Sequence, residues 1–146
     1  MTDIIIIGGG IAGLSVGAAL APHANVTLLE AEDALAYHAS GRSMALYEAN
    51  YGMDTTIALA RASGDFFIHD TDYLSPRGLM VLGKKGEEDA FSSDMKKMRL
   101  VQITIDEAVA KVPILNRDVV THAAFQPDAW DIDTDRLMQD HAKAIR

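Results

Sequence analysis

Gly8, Gly10, Gly13 and Glu30 have the residue types and the spacing that hold a dinucleotide. Gly8 permits a tight turn out of a strand. Gly10 has no side chain, so a pyrophosphate can approach its backbone. Gly13 lets a helix pack close against the preceding strand. The free amides and the dipole at the start of that helix favour an anion. Glu30 follows Gly10 by about twenty residues, the distance at which an acid accepts hydrogen bonds from a ribose diol. An acid there, rather than a nearby arginine, fits a ribose without a 2′-phosphate. The plain alternative is a tight turn that binds no nucleotide.

These residues must be positioned by a strand, a helix and a second strand. Asp3 to Ile7 is a β-branched run stopped by glycine, and it reads as a strand buried on both faces. Ile11 to Leu20 reads as a short buried helix that Pro22 ends. Asn25 to Glu30 reads as the second strand, which completes a βαβ unit. Ala31 to Gly41 is loop-like, and Ser43 to Tyr51 reads as a helical turn or two. Asp54 to Phe67 reads as a helix, Ser75 to Gly78 as a turn, and Leu79 to Leu82 as a strand. Glu87 to Arg99 is a polar helix with its cations at the C-terminal end. Thr104 and Glu107 have capping-box spacing and open a short helix limited by Pro113. Val119 to Phe125 reads as a strand. Asp133 or Thr134 caps a last helix whose apolar face is Leu137, Met138, His141, Ala142 and Ile145.

With 146 residues the chain is one domain, or one domain and part of another. An apolar share of 49% suffices for a real core. A net charge of -8 argues against nucleic acid or an anionic membrane as partner. The absence of cysteine excludes disulfides, thiolate metal sites and cysteine nucleophiles. The five histidines show no metal-ligand spacing, and the aspartates at 128, 131, 133 and 135 lack the glycine and glutamate of an EF-hand loop. No metal is expected. No signal peptide or membrane-spanning run is read, so a cytoplasmic location is expected.

The segment after Glu30 separates FAD from NAD. An NAD domain continues with a helix and a third strand; here a loop leads into YHASGRSMALYEANYG, Tyr37 to Gly52. Together with IIGGGIAG, LLEAE, LSPRGLMVL and PDAWDIDTDRLMQ, this stretch resembles the FAD-dependent D-amino-acid oxidase superfamily, and D-arginine dehydrogenase-like members within it. The resemblance runs through nearly all of the chain in order, and its SGRS and DIDTD segments are the most specific parts. It implies an α/β fold: an FAD-binding Rossmann-like βαβ core, followed by the start of an inserted α+β substrate domain, incomplete at the C-terminus. Residues 1–52 would be the FAD-binding βαβ and flavin-wrapping segment, and residues 53–146 the helical segments and the start of the substrate domain.

By that resemblance FAD is the cofactor, and Ile11 and Ala12 offer amides to its phosphates. Ala31 sits by the adenosine. Ala39, Ser40, Gly41, Arg42, Ser43, Met44, Ala45 and Leu46 lie along the flavin pyrophosphate and the isoalloxazine edge. A guanidinium at 42 neutralises phosphate charge and a hydroxyl at 43 donates a local hydrogen bond. Leu46, Tyr51 and Leu79 face the substrate.

The implied reaction is oxidative deamination of an amino acid, a D-amino acid by the family, with hydride passing from the α-carbon to the flavin. The imino acid then hydrolyses to a keto acid and ammonia. The electron acceptor and the catalytic residues are not assigned. Two leucines among the three substrate positions point to an apolar or small side chain. Glu48 is the one acid that would suit a cationic substrate, against its plainer reading as an exposed helix residue. Tyr51 reads more simply as a half-buried packing tyrosine, His38 as a structural hydrogen-bonding residue and Trp130 as a packing anchor.

Family members are more than twice as long, so the resemblance also implies an N-terminal part of an enzyme. The alternatives are a non-catalytic piece that binds nucleotide weakly or only packs with a partner chain, and an NAD-binding domain. An uncovered sheet edge beside the first strand would favour self-association.

Overall fold

The computed structural model describes residues 1–70 and 72–145. It forms two compact units, residues 1–45 with 132–146 and residues 46–131. The sequence reading divides the chain at Gly52; the compact units part at Ala45 and again at Ile132.

The first unit is built on β1 (Ile4–Ile7), α1 (Ile11–Leu20) and β2 (Val26–Leu29). β1 and β2 pair in parallel, from Ile4 opposite Val26 to Ile7 opposite Leu29, with α1 as the crossover. The β-branched run suits an extended backbone, and the glycines end it. The last helix of the chain, α5 (Thr134–Ile145), returns to this unit and packs on α1. Its buried residues Leu137 and Met138 belong to the apolar face read from sequence, and Asp133 Oδ1 accepts the Arg136 N–H at 3.0 Å as an N-cap. A side chain at Gly17 would strike Ile145 at 2.6 Å, so this small residue sets how closely α5 approaches.

The reading of β1 as buried on both faces is corrected. Its burial alternates: Ile4 and Ile6 are half-buried, with Ile6 under α1, whereas Ile5 is 62% and Ile7 87% exposed. The helix covers one face of a two-stranded sheet, and period-two geometry sends alternate side chains to the other.

The second unit begins with β3 (Leu46–Tyr47), α2 (Asp54–Ala62) and a π-helical turn (Phe66–Asp70), followed by β4 (Leu74–Pro76) and β5 (Leu79–Lys84). Then come α3 (Glu88–Lys97), β6 (Val101–Ile103), α4 (Ile105–Lys111), β7 (Val120–Gln126) and β8 (Trp130–Ile132). Two three-stranded sheets result, in the orders β3-β8-β4 and β5-β7-β6. β7 is antiparallel to both of its neighbours, with Leu79 opposite Gln126 and Val81 opposite Ala124. Phe91 of α3, Met98, Leu100 and Ala124 form the core cluster, with Leu79 and Val81 packed on it. Thr104 caps α4 through the expected capping box: its Oγ1 accepts the Glu107 N–H, and Glu107 Oε2 accepts the Thr104 N–H at 2.7 Å.

The helical turns expected over Ser43 to Tyr51 are replaced by a short 3-10 turn over Ser40–Arg42 and by β3. Ala45 lies between them at φ +48°, a left-handed value that interrupts a helix.

Candidate functional site

The glycine turn begins where β1 ends. Gly8 adopts φ +106° and donates its N–H to the Leu29 carbonyl at 2.8 Å, so the turn stays stitched to β2. Gly13 faces the same turn. A methyl group there would come within 2.0 Å of the Gly8 carbonyl oxygen, which as backbone cannot swing aside. Gly13 is therefore required for α1 to approach the β1 end. The first intrahelical bond of α1 is Leu14 N–H to Gly10 C=O. The amides of Ile11, Ala12 and Gly13 precede it and point out of the helix start.

The SGRS segment folds onto this helix start. Ser40 Oγ accepts the Ile11 N–H at 3.0 Å, and a methyl group on Gly10 would lie 3.1 Å from the same oxygen. Ala36 N–H donates to Gly9 C=O at 3.0 Å, and Gly41 N–H donates to Ala36 C=O at 2.9 Å. Ala36 itself has φ +60°. Non-glycine residues at positive φ are held there only by surrounding structure. Here Ala36 and Ala45 stand on either side of the 3-10 turn.

Glu30 closes the site from β2. Its Oε2 accepts the Gly9 N–H at 2.6 Å; its Oε1 accepts the N–H of Ala31 at 2.7 Å and of Glu32 at 3.0 Å. These backbone donors, Glu32 first, hold its carboxyl below the ordinary glutamate value. An ionised carboxylate is an acceptor only, and it keeps capacity for a further donor such as a ribose hydroxyl. The fit to a dinucleotide is thus concrete. Gly10 leaves a cradle that a Cβ would fill, helix amides stand at its base, and an ionised acid lies beside it.

Gly8, Gly10, Ile11, Ala12, Gly13, Glu30, Ala31, Ala39, Ser40, Gly41, Arg42, Ser43, Met44 and Ala45 all fall in the first compact unit. Arg42 is exposed, with its guanidinium 5.4 Å from the Tyr37 ring centroid. Ser43 Oγ accepts the Ala45 N–H at 3.0 Å, and Met44 is 77% exposed. His38 makes a hydrogen bond of 2.7 Å with Glu32, in line with its structural reading.

Gly9 is a site residue that the sequence reading misses. It is buried, it links Glu30 to Ala36, and a side chain on it would collide with Leu35 at 2.5 Å. Its only signal in the sequence is its place inside a glycine triplet.

Leu46, Tyr51 and Leu79 fall in the second unit. Leu46 is half-buried on β3, and Leu79 is half-buried against the Phe91 cluster. Tyr51 is 65% exposed, which corrects its reading as a half-buried packing residue. Glu48 is not an exposed helix residue either. It follows β3, is 6% exposed, and accepts hydrogen bonds from Gln126 Nε2 and, at 2.7 Å, from the Asn50 N–H. Among the described residues no cluster of histidine and acid is arranged to hold a metal ion, and no helix is long and apolar enough to cross a membrane.

The FAD dependent oxidoreductase family matches residues 3–146, and the chain belongs to that family. Its cofactor is FAD, and its mixed α/β fold is the Rossmann-like FAD-binding fragment of that family. Among solved structures it is similar to a glycine oxidase from Bacillus cereus, at 21% identity and a TM-score of 0.81. That match covers 99% of this chain and 45% of the other. It is also similar to an L-α-glycerophosphate oxidase from Mycoplasma pneumoniae with FAD bound (14% identity, TM-score 0.78, 99% of this chain and 43% of that one). An L-amino acid deaminase from Proteus myxofaciens matches at 22% identity with a TM-score of 0.69, over 99% of this chain and 36% of that one. The chain spans less than half the length of each of these proteins.

Proposed function

We propose that this chain is the N-terminal part of an FAD-dependent oxidoreductase acting on an amino acid, with D-configuration as the family subtype read from SGRS and DIDTD. The observation that carries the proposal is the meeting of three separated segments. Gly9 binds Glu30, and Ile11 binds Ser40, around one helix start. When bound, FAD supplies a two-electron acceptor for the hydride on the substrate α-carbon, and the imine left behind hydrolyses to a keto acid and ammonia. The chain's own residues bind and orient. The Ile11 N–H is held by Ser40, so Ala12 and, in place of Ile11, Gly13 offer amides to the phosphates; Glu30 accepts from the ribose, and Arg42 turns from Tyr37 toward phosphate charge. Residues 1–52 act as the flavin-binding piece, with Leu46, Tyr51 and Leu79 on the substrate side.

The substrate side chain in this proposal is apolar or small. Leu46 and Leu79 carry no charge, and both oxygens of Glu48 are engaged by Asn50 and Gln126. The location in this reading is cytoplasmic. The test is a panel of D- and L-amino acids given to the full-length, FAD-loaded protein with an artificial electron acceptor. Turnover of D-leucine ahead of D-arginine is expected; faster turnover of D-arginine, or of L-enantiomers alone, overturns the substrate assignment.

A second reading is a non-catalytic piece that packs with a partner chain. The exposed Ile5 and Ile7 on β1 favour it. Flavin retention without any amino-acid turnover in the presence of the missing half would select it.

A further inference from the structure

Glu48 and Gln126 are the two buried polar residues among the described residues, at 6% and 5% exposure. They stand 78 positions apart in sequence and are hydrogen-bonded to each other. Taking a carboxylate out of water is costly unless donors replace the lost hydration. Both oxygens of Glu48 have one: Oε2 accepts from Gln126 Nε2, and Oε1 accepts the Asn50 N–H at 2.7 Å. Asn50 Oδ1 in turn accepts from Arg61 Nη2 at 2.8 Å, and Tyr47 donates its hydroxyl to the Ala60 carbonyl at 3.0 Å. The segment from Leu46 to Tyr51 is therefore anchored on its polar side chains, with Glu48 at its centre. At the other end of the bond, Gln126 lies directly opposite Leu79 in the β5–β7 ladder. Directly opposed residues of an antiparallel pair share one face of the sheet.

We infer that Glu48 is a positioning residue: held by Gln126, its carboxylate fixes the Leu46–Tyr51 segment against the β5–β7 strands and sets the surface offered to an uncharged substrate side chain. Its charge is consumed inside the fold, so it offers none to a cationic substrate. The inference rests on the reading that Leu46, Tyr51 and Leu79 meet substrate, but the pairing itself is tested without any substrate.

The test exploits the direction of the hydrogen bond. Gln126→Glu sets two carboxylates face to face. Amide exchange over residues 46–51 should then rise roughly tenfold or more, the scale of an unpaired buried charge. Glu48→Gln alone should change exchange by less than about threefold, because Gln126 can turn its amide to present the oxygen instead. The swap Glu48→Gln/Gln126→Glu restores both contacts with the donor reversed. The new amide at position 48 would accept from the Asn50 N–H and donate to the new carboxylate at position 126. The swap should return exchange to near the wild-type rate. Protection of α3 and α4, which belong to the same unit, reports that each variant folds. In the full-length enzyme, Gln126→Glu should raise KM with little change in kcat, and the swap should restore KM. Unchanged exchange in Gln126→Glu, or a swap no better than Gln126→Glu, overturns the pairing. Selective loss of D-arginine turnover in Glu48→Gln, with exchange unchanged, overturns the positioning role in favour of a counter-charge. An enzyme that turns over no amino acid would sink the proposed function and leave the exchange result to decide the pairing.

Discussion

The hydroxyl of Ser40 accepts a hydrogen bond from the backbone N–H of Ile11 at 3.0 Å, although the two residues are 29 positions apart. Gly10, the N-cap of α1, has no side-chain cap of its own. Ser40 therefore caps the helix from a distant segment, and the SGRS turn and the glycine turn form one structure. Replacing Ser40 by alanine should cost about 1 kcal/mol, the usual worth of a helix cap. It should also weaken FAD binding, because the segment meant to line the phosphates loses its anchor. Denaturant unfolding and a flavin titration of Ser40→Ala measure the two effects.

Glu30 gives the first unit a pH dependence. Its carboxyl lies below the ordinary glutamate value because the N–H groups of Glu32, Gly9 and Ala31 bind its ionised form. A lowered folded pKa stabilises the fold fully above the unfolded value and loses that contribution as pH falls through the folded value. Melting temperature should therefore drop as pH falls below about 4. Glu30→Gln should lack that part of the slope. Thermal melts of both proteins from neutral to acid pH check this, and parallel curves would count against it.

The glycines separate fold from binding. Gly13→Ala drives a methyl group into the Gly8 carbonyl, and overpacking of this kind costs about 1–3 kcal/mol. Gly10→Ala meets only the Ser40 hydroxyl at 3.1 Å, a contact that a small shift relieves. Gly10→Ala should fold and lose flavin affinity, whereas Gly13→Ala should lose stability first. Melting curves beside flavin titrations distinguish the two patterns.

The face of β1 that carries Ile5 and Ile7 should drive self-association, since exposed apolar strand faces and edges recruit other chains. Light scattering of the purified chain should show species larger than a monomer, and Ile7→Lys should reduce them. A monodisperse wild-type monomer would contradict this.

Much of the fold is legible in the sequence because its signals are local. The Ile4–Ile7 run, the glycine stop, the Thr104–Glu107 box and the Asp133 cap each act within a few residues. Strands β3, β4, β6 and β8 are not legible: at two or three residues each they are too short to show a period. The candidate site is half legible. Gly8, Gly10, Gly13 and Glu30 announce themselves by spacing, but the role of Ser40 as a cap depends on where its loop folds. Glu48 is misread from sequence because its burial depends on Gln126, a partner that no local pattern reveals. Ile5 and Ile7 are misread because a β-branched run looks the same whether one face of the sheet is covered or two.

The central claim is that Glu30, the glycine turn and the SGRS segment together hold FAD. The most direct measurement is the absorption spectrum of the purified chain before and after FAD, followed through gel filtration, for wild type and for Gly10→Ala. Flavin bands that travel with the wild-type protein and are lost from a folded Gly10→Ala are the predicted result. A folded wild-type chain that emerges colourless, or a Gly10→Ala variant that keeps flavin equally well, would contradict the claim.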